Sequence, residues 1–172
     1  TDAVLALARG ADRTAGVDLP GGLRVERVGD ALRALGPSGT ADEYPDLPLL
    51  VPGIVRWPVG GIRVRATVHD DHFRVAGDPR AANSRAWFDL DRLTTPLSMR
   101  KFSPGSRIRP FGSPGSRKIS DLLGEAGIPR RTRPYWPVVT DAEQVLWVPG
   151  ARAADVARVG DETLSILELT MG

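Results

Sequence analysis

Apolar positions recur along this chain at two different spacings, and the two-residue spacing is the commoner. Ile62, Val64, Ala66 and Val68 alternate with polar neighbours, the period of a strand with one buried face. Near the end, Leu164, Ile166 and Glu168 alternate against Ser165, Leu167 and Leu169 in the same way. Shorter apolar runs at residues 49–55, 87–90, 138–139 and 145–148 read as further strands. Gly60 and Gly61 separate two of these runs, and Gly21 and Gly22 separate residues 17–20 from 23–28; both pairs are hairpin signals. Residues 31–35 continue the first hairpin as a meander, and residues 141–143 form the turn between the last strand pair.

One stretch keeps the helical period: Ile119, Leu122, Leu123 and Ala126 stand at i, i+3, i+4 and i+7. Ser116 is the expected N-cap, with Gly127 and Pro129 ending the helix. Residues 2–9 read as the last turns of another helix, stopped at Gly10. The pattern predicts a β-rich α+β chain. Residues 93–172 are expected to form a small sandwich-like C-terminal domain with one main helix. Residues 1–92 are expected to form a hairpin-rich region that begins with the end of a helix.

Composition narrows the classes. A chain of 172 residues, 41% hydrophobic and 26% charged, is enough for one domain with a core or two small ones. No apolar run is long enough to span a bilayer, so no membrane partner is expected. Cysteine is absent, which excludes a disulfide framework and a Cys-ligated zinc site and fits a cytoplasmic location. The chain opens on Thr1 with a helix already under way, as expected of a piece of a longer protein.

Charge changes the picture most. Between Arg100 and Arg133 lie nine basic residues and two acids, Asp121 and Glu125, a surplus of +7 in a chain of net charge +2. The window is threaded with Gly and Pro, as polyanion-binding surfaces often are. Two Ser-Pro-Gly-Ser turns, residues 103–106 and 113–116, precede Arg107 and Arg117. The second is expected to run straight into the helix, whose N-terminal N–H groups, with Arg117 and Lys118, would favour an anion. The GxxxxGK[ST] spacing of a nucleotide-triphosphate loop is absent. The same residues also read as two surface turns with solvated arginines, and the sequence leaves both readings open.

Two further groups can carry chemistry. His69, Asp70, Asp71 and His72 cluster metal-competent side chains, but a strand would send alternate members to opposite faces, and a polar turn explains them equally. Tyr135 and Trp136 stand beside the arginines, where aromatics can stack on unpaired bases; packing at the entry to the next strand is the plainer expectation.

A longer series of residues resembles the C-terminal domain of the tRNA(Ile)-lysidine synthetase family. It comprises Leu97-Ser-Met-Arg100, Pro104-Gly-Ser-Arg107, Gly115-Ser-Arg-Lys118 with Ile119 and Asp121, Ile128-Pro-Arg130, Arg133, Trp136-Pro-Val-Val139, Asp141 and Val145-Leu-Trp-Val148 before Gly150. The hairpin around Gly21 and Gly22 resembles the segment that precedes this domain in the family. The chain departs from the pattern at Ser106, where the family has an aspartate beside the arginine.

The resemblance implies a division of labour. In the family an N-terminal domain uses ATP and magnesium to adenylate the wobble cytidine of an isoleucine tRNA with a CAU anticodon, and lysine then displaces AMP. The C-terminal region helps to recognise the tRNA. The family's SGGxDS nucleotide loop is absent from these residues, so this chain is expected to bind no cofactor and to catalyse nothing alone. Its expected partners are tRNA and the catalytic domain of the same protein. The expected phosphate contacts are Arg100, Lys101, Arg107, Arg109, Arg117, Lys118, Arg130 and Arg133. Two alternatives stand beside this reading: a non-catalytic module docking on an acidic partner or on the catalytic domain, and an enzyme built on His69 and His72.

Overall fold

The computed structural model describes residues 16–19, 23–28, 31–35, 44, 46–70 and 83–172. The chain forms two compact units, one of residues 1–44 and 58–60, the other of residues 45–57 and 61–172. The first contains an antiparallel meander of β1 (Gly16–Leu19), β2 (Leu23–Val28) and β3 (Ala31–Leu35), with Val17 opposite Val25 and Glu26 opposite Arg33. The expected helix end at residues 2–9, the turn at Gly21 and Gly22, and Asp71 and His72 lie outside the described residues.

The second unit holds two larger sheets. One has the order β5 (Gly53–Arg56), β6 (Arg63–Asp70), β14 (Ser165–Met171), β7 (Arg85–Asp89). All its pairings are antiparallel, and alternation buries Val64, Ala66, Ala86, Phe88, Leu167 and Leu169 on one face. The other has the order β13 (Arg152–Ala153), β12 (Val145–Val148), β11 (Pro137–Thr140), β8 (Ser98–Lys101), β4 (Leu47–Pro48). The two sheets are joined where the Gly150 N–H donates to the Asn83 carbonyl at 2.6 Å and the Asp89 N–H to the Ala157 carbonyl at 2.7 Å.

Two expectations shift here. The run at residues 49–55 is not one strand: β4 ends at Pro48 before it, β5 begins only at Gly53, and exposed Leu50 lies between. The boundary expected at residues 92 and 93 cuts through the four-stranded sheet, because β14 inserts between β6 and β7 and bonds to both. That pairing joins residues about a hundred positions apart, which local periodicity does not report.

A short helix, α1 (Ile119–Glu125), covers one face of the five-stranded sheet. Its apolar stripe of Ile119, Leu122 and Leu123 packs with Val138 and Val148 from the sheet and with Ile108, Ala151 and Ala154 from the loops. Met99, Val139 and Trp147 fill the opposite face, each fully buried. The helix ends as its sequence predicts. Gly127 takes φ 75°, its N–H donates to Gly124, and the Ile128 N–H reaches back to the Leu123 carbonyl at 2.9 Å.

The start of the helix differs from expectation. Arg117 and Lys118 form a two-residue strand, β10, paired with β9 (Arg107–Ile108), and α1 begins one residue later. Lys118 occupies the N-cap position in extended conformation without a side-chain cap bond. Ser116 makes its contacts elsewhere. The helix start is therefore shifted from Ser116 to Ile119, and its first N–H, that of Ile119, donates to the Ser106 carbonyl at 3.0 Å. No helix among the described residues is long and apolar enough to cross a membrane.

Candidate anion-binding surface

The first Pro-Gly turn is built as its sequence implies. The Ser106 N–H donates to the Ser103 carbonyl at 3.0 Å, and Gly105 supplies the positive φ of 82° that a type II turn needs after proline. The second is displaced. Its left-handed glycine is Gly112 (φ 73°), with the Ser113 N–H donating to the Pro110 carbonyl at 2.9 Å. Gly115 lies outside the left-handed region.

Pairing of β9 with β10 brings the two turns side by side. Arg107 stands directly opposite Lys118, and Ile108 opposite Arg117. Directly opposed residues share a face, so Ile108 points into the core while Arg107 and Lys118 project together into solvent. The Arg107 guanidinium is aimed by Ser116: Nε donates to Oγ at 3.0 Å and Nη2 to the carbonyl at 2.8 Å. A serine from the second turn thus orients Arg107.

The other cations of the window fall into two groups. Arg117 pairs with Glu125 across α1. Arg109 reaches Asp155 Oδ2 at 3.4 Å and the Ser113 carbonyl at 3.3 Å. Arg133 donates to the Ile128 carbonyl at 2.8 Å and lies half-buried against α1 at Gly124. All three have partners within the fold, although Arg109 remains exposed and Arg117 half-exposed. Arg100, Lys118 and Arg130 are exposed, with no side-chain hydrogen bond or ion pair among the described residues. Arg100 lies opposite Val138, on the sheet face that carries α1. Lys101, one position on, is half-buried on the other face.

Beside this ribbon lies a groove of about 520 Å³ that charge counting in the window did not reveal. Its lining includes Arg85, Phe111, Arg117, Arg152 and Arg158. Phe111 is 40% exposed, and the Arg158 guanidinium stacks 4.9 Å from its ring centroid. Arg158 also grips Asp155 through Nε to Oδ1 and through Nη2 to Oδ2 at 2.6 Å. That hydrogen bonding, with the positive charge of Arg158 and Arg109, holds the Asp155 carboxyl below its usual range against an opposing effect of burial. Of this lining the sequence marked only Arg117; the exposure of Phe111, between Pro110 and Gly112, is not a property that local pattern reports.

The remaining candidates take structural places. Trp136 Nε1 donates to the Pro149 carbonyl at 2.8 Å and packs against the α1 cluster; the Tyr135 carbonyl accepts from Trp57 Nε1 at 2.8 Å. His69 pairs with Glu168 at 2.8 Å. No group of three or more metal-competent side chains forms among the described residues.

Residues 97–166 match the family model described as the TilS substrate C-terminal domain. The chain is 36% identical to the tRNA(Ile)-lysidine synthase of Symbiobacterium thermophilum over 81% of its own length and 30% of that protein. It is 34% identical to the tRNA(Ile)-lysidine synthase of Geobacillus kaustophilus over 79% of its length and 28% of that protein. The chain therefore spans less than a third of these curated relatives. A crystal structure of a TilS C-terminal domain superposes with a TM-score of 0.65 and 26% identity, covering 75% of this chain and 96% of that one.

Proposed function

The chain belongs to the tRNA(Ile)-lysidine synthase family, whose C-terminal domain it carries, and on that premise we propose that it grips tRNA through phosphate contacts centred on the β9–β10 ribbon. The observation that carries this reading is the opposition of Arg107 and Lys118. Like charges directly across a strand pair repel and weaken the ribbon, a cost that an anion lying between them removes. Arg107 is pre-aimed by Ser116, so little side-chain freedom is lost when it meets a phosphate. Arg100, Lys118 and Arg130 add positive charge that no described carboxylate neutralises. Arg117, Arg109 and Arg133 are engaged by partners in the fold, and each guanidinium keeps N–H donors beyond those its partners use. Lys101 lies at the edge of the surface.

Contacts of this kind fix position and supply affinity while carrying little sequence information. The protein's role in this reading is to hold an isoleucine tRNA with a CAU anticodon while a separate domain, using ATP and magnesium, attaches lysine to the wobble cytidine. Titration of tRNA binding with salt tests it. The logarithm of affinity should fall linearly with the logarithm of salt, by about 0.9 for each duplex phosphate neutralised. Affinity that is absent at low salt, or flat with salt, rejects the phosphate grip and leaves a docking module for an acidic protein surface.

A further inference from the structure

We infer that the outer face of the four-stranded sheet is a second phosphate-binding surface, one that takes a duplex stretch of the same tRNA. Arg56 and Arg63 are directly opposed on β5 and β6, and Arg65 lies two residues along from Arg63 on the same face. All three are exposed, and none makes an ion pair or side-chain hydrogen bond among the described residues. Two carboxylates belong to this face, and both are engaged. Glu168 is held by His69 at 2.8 Å and Arg85 at 3.2 Å. Asp89 is buried and accepts from Thr163 Oγ1 at 2.9 Å. The face therefore keeps three uncompensated arginines, two of them in the cross-strand arrangement that costs stability.

Charge complementarity assigns the occupant, and continuity identifies it. Arginine is suited to phosphate through its planar, bidentate fork. Arg85, on the edge strand of this sheet and paired with Glu168, and Arg117, on β10 and paired with Glu125, line the same groove, so the sheet face and the β9–β10 ribbon border one continuous groove. Arginines on the neighbouring strands β5 and β6 fit a duplex backbone; among the described residues the face carries no run of exposed aromatics of the kind that stacks single-stranded bases. This inference rests on the tRNA reading proposed above and extends its contact area.

The experiment is a salt titration of tRNA binding to the full chain in three forms: wild type, the triple variant Arg56→Gln, Arg63→Gln, Arg65→Gln, and the double variant Lys118→Gln, Arg130→Gln. The triple variant is expected to bind at least tenfold more weakly at fixed salt. Its salt slope should be shallower by about 0.9 for each lost phosphate contact. Its melting temperature should be equal or higher, since an opposed arginine pair has been removed. Unchanged affinity and slope in the triple variant, beside a weakened double variant, overturns the second surface and leaves the first intact. Wild-type protein that binds no tRNA overturns both. Anionic vesicles or an acidic protein retained by the wild type and lost by the triple variant, with tRNA binding unchanged, likewise overturns the inference.

Discussion

Arg133 lies so close to Gly124 that a β-carbon on the glycine would stand 3.2 Å from Arg133 Nη1 and 3.4 Å from Cζ. Glycine inside a helix costs about 1 kcal/mol relative to alanine, so its presence in the seven-residue α1 needs a cause. The cause is the guanidinium, which crosses the helix there and donates to the Ile128 carbonyl just beyond its end. One cation of the basic window is thereby tied into the packing of the domain.

Gly124→Ala should therefore yield less than the stabilisation that helix propensity promises, because the added methyl makes the Arg133 guanidinium give by a few tenths of an ångström and strains its bond to the Ile128 carbonyl. In an Arg133→Ala background the same substitution should stabilise by about 1 kcal/mol. Chemical denaturation of the four proteins gives the coupling. Additive effects would show that the two residues do not interact.

The displaced second turn gives a separate test. Gly112→Ala forces a side chain into the left-handed region at φ 73° and should cost about 1–2 kcal/mol. Gly115→Ala has open space around its β-carbon and an ordinary backbone, so it should be neutral within about 0.5 kcal/mol. The Ser-Pro-Gly-Ser pattern alone predicts the reverse. Thermal melts of the two variants decide it.

These glycines show where reading the chain succeeds and where it stops. Alternation located β6 and β14, the 3.6 period located α1, and Gly127 marked its end, because each is a local property of a few consecutive residues. The start of α1 was missed because a capping serine and a ladder partner compete for the same chain. Pairing with Arg107 and Ile108 draws residues 117 and 118 into β10. The surplus of positive charge was legible by counting. Which cations are spent on Glu125, Asp155 or Ile128, and which stay free, depends on contacts that counting does not contain. Arg63 and Arg65 showed in the sequence as alternating positions of a strand, whereas Arg56 came opposite Arg63 only through the hairpin register.

The division between free and engaged cations predicts two mutational phenotypes. Lys118→Gln and Arg130→Gln should weaken tRNA binding and flatten its salt slope, with thermal stability equal or slightly higher, because neither side chain is used by the fold and losing the Lys118 charge relieves its repulsion with Arg107. Arg133→Gln should lower stability by about 1–3 kcal/mol through the orphaned Ile128 carbonyl and lost packing on α1. A Lys118 variant that melts early while binding tRNA normally would invert the assignment. Melts and salt titrations on the same preparations separate the two effects.

Asp155 sets an acid limit on the loop that carries the groove. Its carboxyl titrates below the ordinary value chiefly because Arg158 hydrogen-bonds to it, with Arg158 and Arg109 adding positive charge nearby. A carboxyl more acidic in the folded state than in the unfolded chain contributes stability fully above its unfolded value, about 3.9, and loses it as pH falls through the lower folded value. Stability should accordingly decline as pH drops below about 4, and the decline should be shallower in Asp155→Asn. The substitution also releases Arg158 from the fork that steadies it over Phe111, so the groove should become more mobile at neutral pH. Melting curves between pH 7 and pH 3 for both proteins, with hydrogen exchange of the loop at pH 7, measure the two effects. Parallel pH dependence in wild type and Asp155→Asn would show that the Arg158 pair contributes nothing to acid stability.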